Sequence, residues 1–326
     1  MTARATGVGS LPGSDMAEAL RFVTGELADF VHLPELPARG AGAGMVARAV
    51  ALLQGLGADL QPAGWRLTDA PGIDHRRAVS LLGQDLDLLE EHTQGYEGLL
   101  KVQVTGPWTL ASTMERPRGD RVLADHGARH ELAQSLAEGV AMHVADLARR
   151  VPGAELVVQV DEPGLPAVLA GRIPTASGFH RHRSVNAAMA SAGLRELTGA
   201  ISSAEARPVV HSCAADLPVP LLVDSGFSAI LFDLSLATPA DEWAQAWEAG
   251  VDLWPGVVPT DEPSEGVSDR PLVERVQRFF DALGVDAEED SGRLVVTPTC
   301  GLAGASPAWS REALRLSRVV AAALAG

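Results

Sequence analysis

Cysteine is almost missing from this chain, with two in 326 residues, Cys213 and Cys300. At most one disulfide can form, and a chain of this size with no secretory leader has little use for a lone bridge. Lysine is scarcer still: Lys101 is the only one among 26 basic residues, an arginine-biased composition that implies no function by itself. Positive charge is outnumbered by 42 acidic residues, leaving a formal net charge of −16. Such a surface repels phosphate backbones, which argues against nucleic acid and for small-molecule or protein partners. No apolar run reaches the roughly 18 residues of a membrane span. The start, Met1-Thr2-Ala3-Arg4-Ala5-Thr6-Gly7, lacks the apolar core of a secretory signal, so the expected location is cytoplasmic. Internal repeats and low-complexity tracts are also absent.

What is present is a hydrophobic content of 46%, enough for a sizeable core. The length fits one large barrel or two ordinary domains. Strand-like runs alternate with helical stretches. Extended segments are expected at 30–33, 100–104, 156–160, 208–210, 229–232, 251–254 and 293–297. Helices are expected at 43–56, 79–95, 131–150, 185–203, near 216–225, and at 243–250, 271–283 and 310–325. Polar segments near 115–121 and 260–270 read as long loops. This alternation argues for an α/β architecture with a parallel sheet, and the number of units fits an eight-fold (β/α)8 TIM barrel. In such a barrel the active site lies at the C-terminal strand ends. Polar residues fall there: Glu35, Thr105-Gly106-Pro107, Asp161-Glu162, His211, Cys213, Asp233 and Cys300.

The segment Pro208-Val209-Val210-His211-Ser212-Cys213 is the most informative. Residues i and i+2 of an extended segment face the same way, so His211 and Cys213 are presented together. Cys300 ends a second β-branched run, Leu294 to Thr299. Two thiols and an imidazole at strand ends are three of the four ligands of a zinc site. From the residues alone two other readings stay open: buried small hydrophobes beside a core histidine, or a disulfide.

The carboxylates admit similar alternatives. Asp161 and Glu162 follow a strand and precede Pro163, so one should face the site and the other away. The pair is either a helix-capping turn or a site in which Asp161 holds a substrate ammonium or tunes a metal ligand. Glu35 is a second ammonium partner or a solvated loop charge. Asp233, after Ile230-Leu231-Phe232, can complete the zinc set or leave the fourth position to water.

Five segments taken together resemble the catalytic barrel of the cobalamin-independent methionine synthase family. They are Gly9-Ser10-Leu11-Pro12, Val104-Thr105-Gly106-Pro107 with Thr109, Gln159-Val160-Asp161-Glu162-Pro163, His211-x-Cys213, and Pro298-x-Cys300-Gly301-Leu302. Each is weak alone, but their order is specific. The resemblance implies a (β/α)8 barrel shared with uroporphyrinogen decarboxylase, with residues 1–326 as a single catalytic barrel domain. It implies zinc held by His211, Cys213 and Cys300, with Asp233 where the family has a glutamate, one methylene longer. It also implies homocysteine as substrate, its amino group on Asp161 and Glu35 and its carboxylate near Gly9 and Ser10. Zinc there activates the thiol for attack on a methyl group, because coordination deprotonates it.

Departures from the family pattern concern the methyl donor. Folate-using relatives carry a tryptophan where this chain has Thr113, and an acidic histidine near the position of Asp261, the candidate acid here. Trp108 and Trp254 are the remaining candidates for stacking on a pterin. Those relatives also have an N-terminal barrel not present in this sequence. The expected donor is therefore a methylcorrinoid or a methyl group delivered by a partner protein, which needs no acid at a departing amine. Other readings are direct use of methyltetrahydrofolate, zinc-dependent alkyl transfer to another thiol such as coenzyme M, a decarboxylase, and a binding protein with a structural zinc.

Overall fold

The computed structural model describes residues 3–264 and 266–325. Its strands are β1 (Arg4–Ala5), β2 (Phe30–His32), β3 (Gly57–Gln61), β4 (Gly64–Thr68), β5 (Leu99–Thr105), β6 (Glu155–Asp161), β7 (Arg207–Ser212), β8 (Ala229–Asp233), β9 (Asp252–Val258) and β10 (Val295–Pro298). Eight of these form one parallel sheet in the order β1-β10-β9-β8-β7-β6-β5-β2. Each is followed by helix, the longest being Ile73–His92 and His126–Arg150. This is the expected (β/α)8 barrel. Among the described residues no helix is long and apolar enough to cross a membrane.

The two end strands meet through Thr6. Its N–H donates to the Val296 carbonyl (3.2 Å) and its hydroxyl to the Phe30 carbonyl (3.0 Å). Just beyond, Ser10 and Glu35 form a parallel bridge. Leu11 N–H donates to the Glu35 carbonyl (2.9 Å), and Glu35 N–H to the Gly9 carbonyl (3.1 Å). The seam therefore closes at the C-terminal rim, and it brings three of the expected substrate residues together.

Period-two alternation decides what fills the barrel. Val8, Phe30, Leu99, Val157, Val209, Ala229, Leu231, Trp254 and Val295 form an apolar cluster apart from the larger one under the helices. Trp254 stands edge-on to Phe30 with ring centroids 5.5 Å apart. On β5 to β7 the residues of the same parity further along are polar: Lys101 and Gln103, Gln159 and Asp161, and His211. The interior thus changes from hydrocarbon to hydrogen-bonding groups along its axis.

Three local features differ from the sequence-based reading. A helix at Met16–Glu26, capped by Asp15, follows β1. The helix expected over 43–56 covers only Met45–Val50, and the chain then forms the antiparallel hairpin β3–β4. The hairpin alternates as a strand pair should, with Trp65 and Leu67 buried and a positive φ at Gly64 in its turn. Its short runs are masked by the flanking helical pattern.

Candidate metal and substrate site

β7 presents His211 inward and carries Cys213 just past its end, and β10 leads into Cys300. One ligand atom from each of the three residues falls in a group spanning no more than 4.8 Å. The sulfurs lie 2.8 Å apart as free, half-buried thiols, so they are neither a disulfide nor buried small hydrophobes. Hydrogen bonding between the two sulfurs lowers the Cys213 thiol and raises that of Cys300.

His211 is buried. Its Nδ1 is hydrogen-bonded to Asp161 Oδ1 at 2.8 Å, while Nε2 has no hydrogen-bond partner among the described residues. Burial lowers the imidazolium, but the Asp161 hydrogen bond and the nearby Cys300 outweigh it and raise it to about 9. A buried ring nitrogen without a partner is costly. With Nδ1 taken by Asp161, Nε2 is the nitrogen left for an ion held with the two sulfurs, and one imidazole nitrogen with two thiolates is a zinc donor set. The residues therefore fit the ion that the sequence implies, with Asp161 behind the histidine as an outer carboxylate.

Asp233 does not join the group. Its Oδ1 accepts from the Ser235 N–H (2.8 Å) and hydroxyl (2.7 Å), turning the short side chain onto its own loop. Asp261 lies exposed beyond β9, and among the described residues no hydrogen bond or ion pair joins it to the cluster. Thr113 is exposed, its hydroxyl donating back to the Thr109 carbonyl (2.8 Å). Both tryptophans are buried. Trp108 is buried with its indole N–H on the Ala190 carbonyl (2.9 Å), and Trp254 is in the apolar layer.

Ser10 does reach the segment that carries Cys300. Its carbonyl accepts from Leu302 N–H at 2.8 Å, and a Cβ on Gly301 would collide with its hydroxyl. Glu35 is buried and already has a cation: Arg48 Nε donates to its Oε1 at 3.0 Å, and the same guanidinium pairs with Asp85 (2.9 Å). Burial raises the Glu35 carboxyl, and Arg48 opposes the shift.

Asp161 and Glu162 face opposite ways, as strand alternation requires. Glu162 turns out of the barrel and closes the helix Pro107–Thr113, which has no capping side chain of its own. It accepts from Trp108 N–H (2.8 Å), Thr109 N–H (2.8 Å) and the Thr109 hydroxyl (2.7 Å). A Cβ on Gly106 would strike the Glu162 carboxylate. The Thr-Gly-Pro-x-Thr and Asp-Glu-Pro segments are thus two halves of one contact. Burial pushes the Glu162 carboxyl up to about 7 against three donors that favour the anion.

Sequence reasoning missed the polar layer beneath the site. Lys101 is fully buried; its Nζ donates to the Val8 carbonyl (2.9 Å) and to Gln159 Oε1 (2.7 Å). Gln159 Nε2 donates to the Val8 carbonyl (2.9 Å) and to Asp161 Oδ1 (2.7 Å). Burial pulls the Lys101 ammonium down to about 7, and Asp161 and Glu35 push it back up. The available signal was a lone lysine in the middle of a buried apolar strand, a position that charged residues rarely take without partners.

Residues 92–323 match the family model described as the cobalamin-independent synthase catalytic domain. No curated protein matches the sequence. Among solved structures, a B12-independent methionine synthase from Shewanella sp. W3-18-1, determined with selenomethionine, has a TM-score of 0.62 at 14% identity. The alignment covers 99% of this chain and 98% of that one. A family 20 β-N-acetylglucosaminidase has a TM-score of 0.51 at 12% identity, covering 99% of this chain and 70% of that one. At such identities the structures show a shared barrel.

The Glu162 contact is directly testable. Glu162→Gln keeps one acceptor but turns an NH2 group onto the N–H of Trp108 or Thr109. The variant should lose about 1–3 kcal/mol of stability, read as a lower urea midpoint with an unchanged slope. An unchanged midpoint would contradict the capping role.

Proposed function

Because the chain belongs to the family of the cobalamin-independent synthase catalytic domain, we propose that it is a zinc-dependent methyltransferase converting homocysteine to methionine. The observation that carries this reading is the grouping of His211, whose Nε2 is buried and unpartnered, with the thiols of Cys213 and Cys300. The Shewanella relative adds support, since its complex holds selenomethionine, a molecule with the backbone and side-chain skeleton of methionine.

An ordinary thiol is mostly protonated at neutral pH, and only the thiolate attacks. His211, Cys213 and Cys300 would hold the zinc, which would supply a Lewis acid that lowers the pKa of the incoming thiol. The chain's own residues orient the substrate. Asp161 uses Oδ1 for Gln159 and His211 and offers Oδ2 to the homocysteine ammonium. Glu35, with Arg48 already on Oε1, adds negative charge on the same side. Gly9 and Ser10, at the seam and against Gly301, bind the carboxylate. With the amino acid end so fixed, the sulfur electron pair forms the new S–CH3 bond. The bond from the methyl carbon to the donor breaks, and its pair stays with the donor.

The donor in this reading is a methylcorrinoid or a methyl group delivered by a partner protein. Direct transfer from a folate amine calls for an acid at the departing nitrogen, a contribution of roughly 10²–10⁴ in rate. Asp261 is exposed and unlinked to the cluster, Thr113 offers no ring, and Trp108 and Trp254 are buried elsewhere. Asp233 is kept as a group near Cys213 whose ligand role depends on its leaving Ser235.

Two experiments follow. Purified zinc-loaded chain should form methionine from homocysteine with methylcobalamin, and poorly or not at all with free methyltetrahydrofolate. Efficient turnover with methyltetrahydrofolate alone would reverse the donor assignment, and no methionine from either donor, with or without cell extract, would count against the activity. Asp161→Asn retains Oδ1 for Gln159 and His211 but places an amide toward the ammonium. It should raise the homocysteine KM roughly tenfold to a hundredfold, the scale of one charge-assisted hydrogen bond, with zinc content unchanged. Loss of zinc at an unchanged KM would assign Asp161 to the metal alone.

A further inference from the structure

We propose that the basic hairpin at 172–183 is the docking surface for a methylcorrinoid protein with an acidic face. The inference deepens the reading of a partner-delivered methyl group and rests on it.

Charge is spread unevenly along this acidic chain. From Pro163 to Arg195 there is no aspartate or glutamate, against 42 in the whole sequence, while four arginines and two histidines fall there. All but Arg195 lie between Arg172 and Arg183, in the connection from β6 to the helix Ala187–Ser203. Strand-to-helix connections form the C-terminal face of a barrel, the side of its active site. A contact confirms the placement: Arg172 pairs at 3.5 Å with Asp216, three residues past Cys213. Arg181 and Arg183 are exposed, and among the described residues neither has an ion-pair partner. The segment is nevertheless well built. Pro174 and Arg181 form an antiparallel bridge, Thr175 N–H donates to the His180 carbonyl (2.9 Å), and His182 N–H to the Ile173 carbonyl (2.8 Å). Gly178, at φ +75°, makes the turn. The loop after the helix Pro107–Thr113 pins the hairpin: Asp120 Oδ1 accepts from Ala176 N–H (2.9 Å), and Arg121 Nε donates to the Pro174 carbonyl (3.2 Å). That loop adds another exposed arginine, Arg118. At the tip stands Phe179, 87% exposed, more than any other large apolar side chain among the described residues.

A pinned hairpin that holds a phenyl ring in water between unpaired arginines has the composition of a protein contact, where aromatic rings and arginines supply the anchors. A small anion would leave Phe179 in water, whereas a protein face covers ring and cations together. A nucleic acid or an anionic membrane is charged throughout, and beyond the hairpin it would meet a chain of net charge −16. A partner with one acidic face is attracted to the hairpin and oriented by it. Docked there, its methyl group is brought to the rim that carries Cys213. The homocysteine sulfur pair then takes the methyl carbon, and the pair of the broken cobalt–carbon bond stays on the corrinoid.

The test compares the full zinc-loaded chain with a triple variant, Arg118→Glu, Arg181→Glu and Arg183→Glu, at exposed positions outside the metal and substrate site. The probe is the methylated corrinoid protein of the source cell, purified by its corrinoid absorbance. Titration calorimetry should show it binding the native chain, and binding should weaken about tenfold or more in the triple variant and on raising the salt. Phe179→Ser should weaken it by about tenfold as well. Methionine formation from the corrinoid protein should fall in parallel, while the rate from free methylcobalamin stays native, which also shows that the variants fold. Equal binding and equal rates in native and variant chains would overturn the proposal, as would a corrinoid protein that does not bind the native chain. If the substitutions instead abolish binding to phosphatidylglycerol vesicles, or turnover with methyltetrahydrofolate polyglutamate, the hairpin serves a membrane or a small anionic donor and the proposal fails. Binding through the hairpin without methionine from either the carrier or free methylcobalamin would keep the docking surface and defeat the methyltransferase reading instead.

Discussion

One carboxylate oxygen links the interior of this barrel to its reactive rim. Asp161 Oδ1 accepts from Gln159 on one side and from His211 on the other. Below it, Gln159 and Lys101 stand on the apolar layer around Trp254 and Phe30. Above it, His211 is grouped with the two cysteines. A buried polar chain of this kind stabilises only when every member is satisfied. Along Lys101, Gln159, Asp161 and His211 the buried atom left without a partner is His211 Nε2, and its residue is grouped with two thiols, which is what points to a metal.

The neighbouring carboxylate serves a different purpose through the same strand geometry. Glu162 is one residue along, so it projects outward and fastens the helix Pro107–Thr113. The barrel seam uses backbone in place of side chains: Gly9, Ser10 and Glu35 are joined by main-chain hydrogen bonds, and Ser10 is joined in turn to Leu302. The segments of the rim are thus tied to one another before any substrate is considered. Such mutual restraint is what positions a catalytic group to within a fraction of an ångström.

Legibility in the sequence followed the range of the interaction. The grouping of three residues could be read because His211 and Cys213 are local to one strand, and because Cys300 ends a second strand-like run. The opposite facing of Asp161 and Glu162 followed from strand periodicity. The barrel followed from alternating runs. What escaped depends on register between strands. Nothing in the run Leu99 to Val104 says that Lys101 meets Gln159, or that Glu162 reaches back to the helix after β5. Asp233 shows the opposite limit: its position at a strand end was right, but its short side chain finds Ser235 first. Arg48 beside Glu35 was invisible for the same reason as Lys101, since the pair joins a helix to a rim segment. The hairpin β3–β4 was lost between two helical patterns.

The central claim is that His211, Cys213 and Cys300 hold a zinc ion open to a substrate thiol. X-ray absorption at the zinc edge of the loaded chain, before and after homocysteine, tests it most directly. The account predicts two sulfurs at about 2.3 Å and nitrogen or oxygen ligands at about 2.0–2.1 Å, with a third sulfur appearing on addition of homocysteine. A zinc already closed by four protein ligands and unchanged by homocysteine, or a chain that binds no zinc, would contradict it.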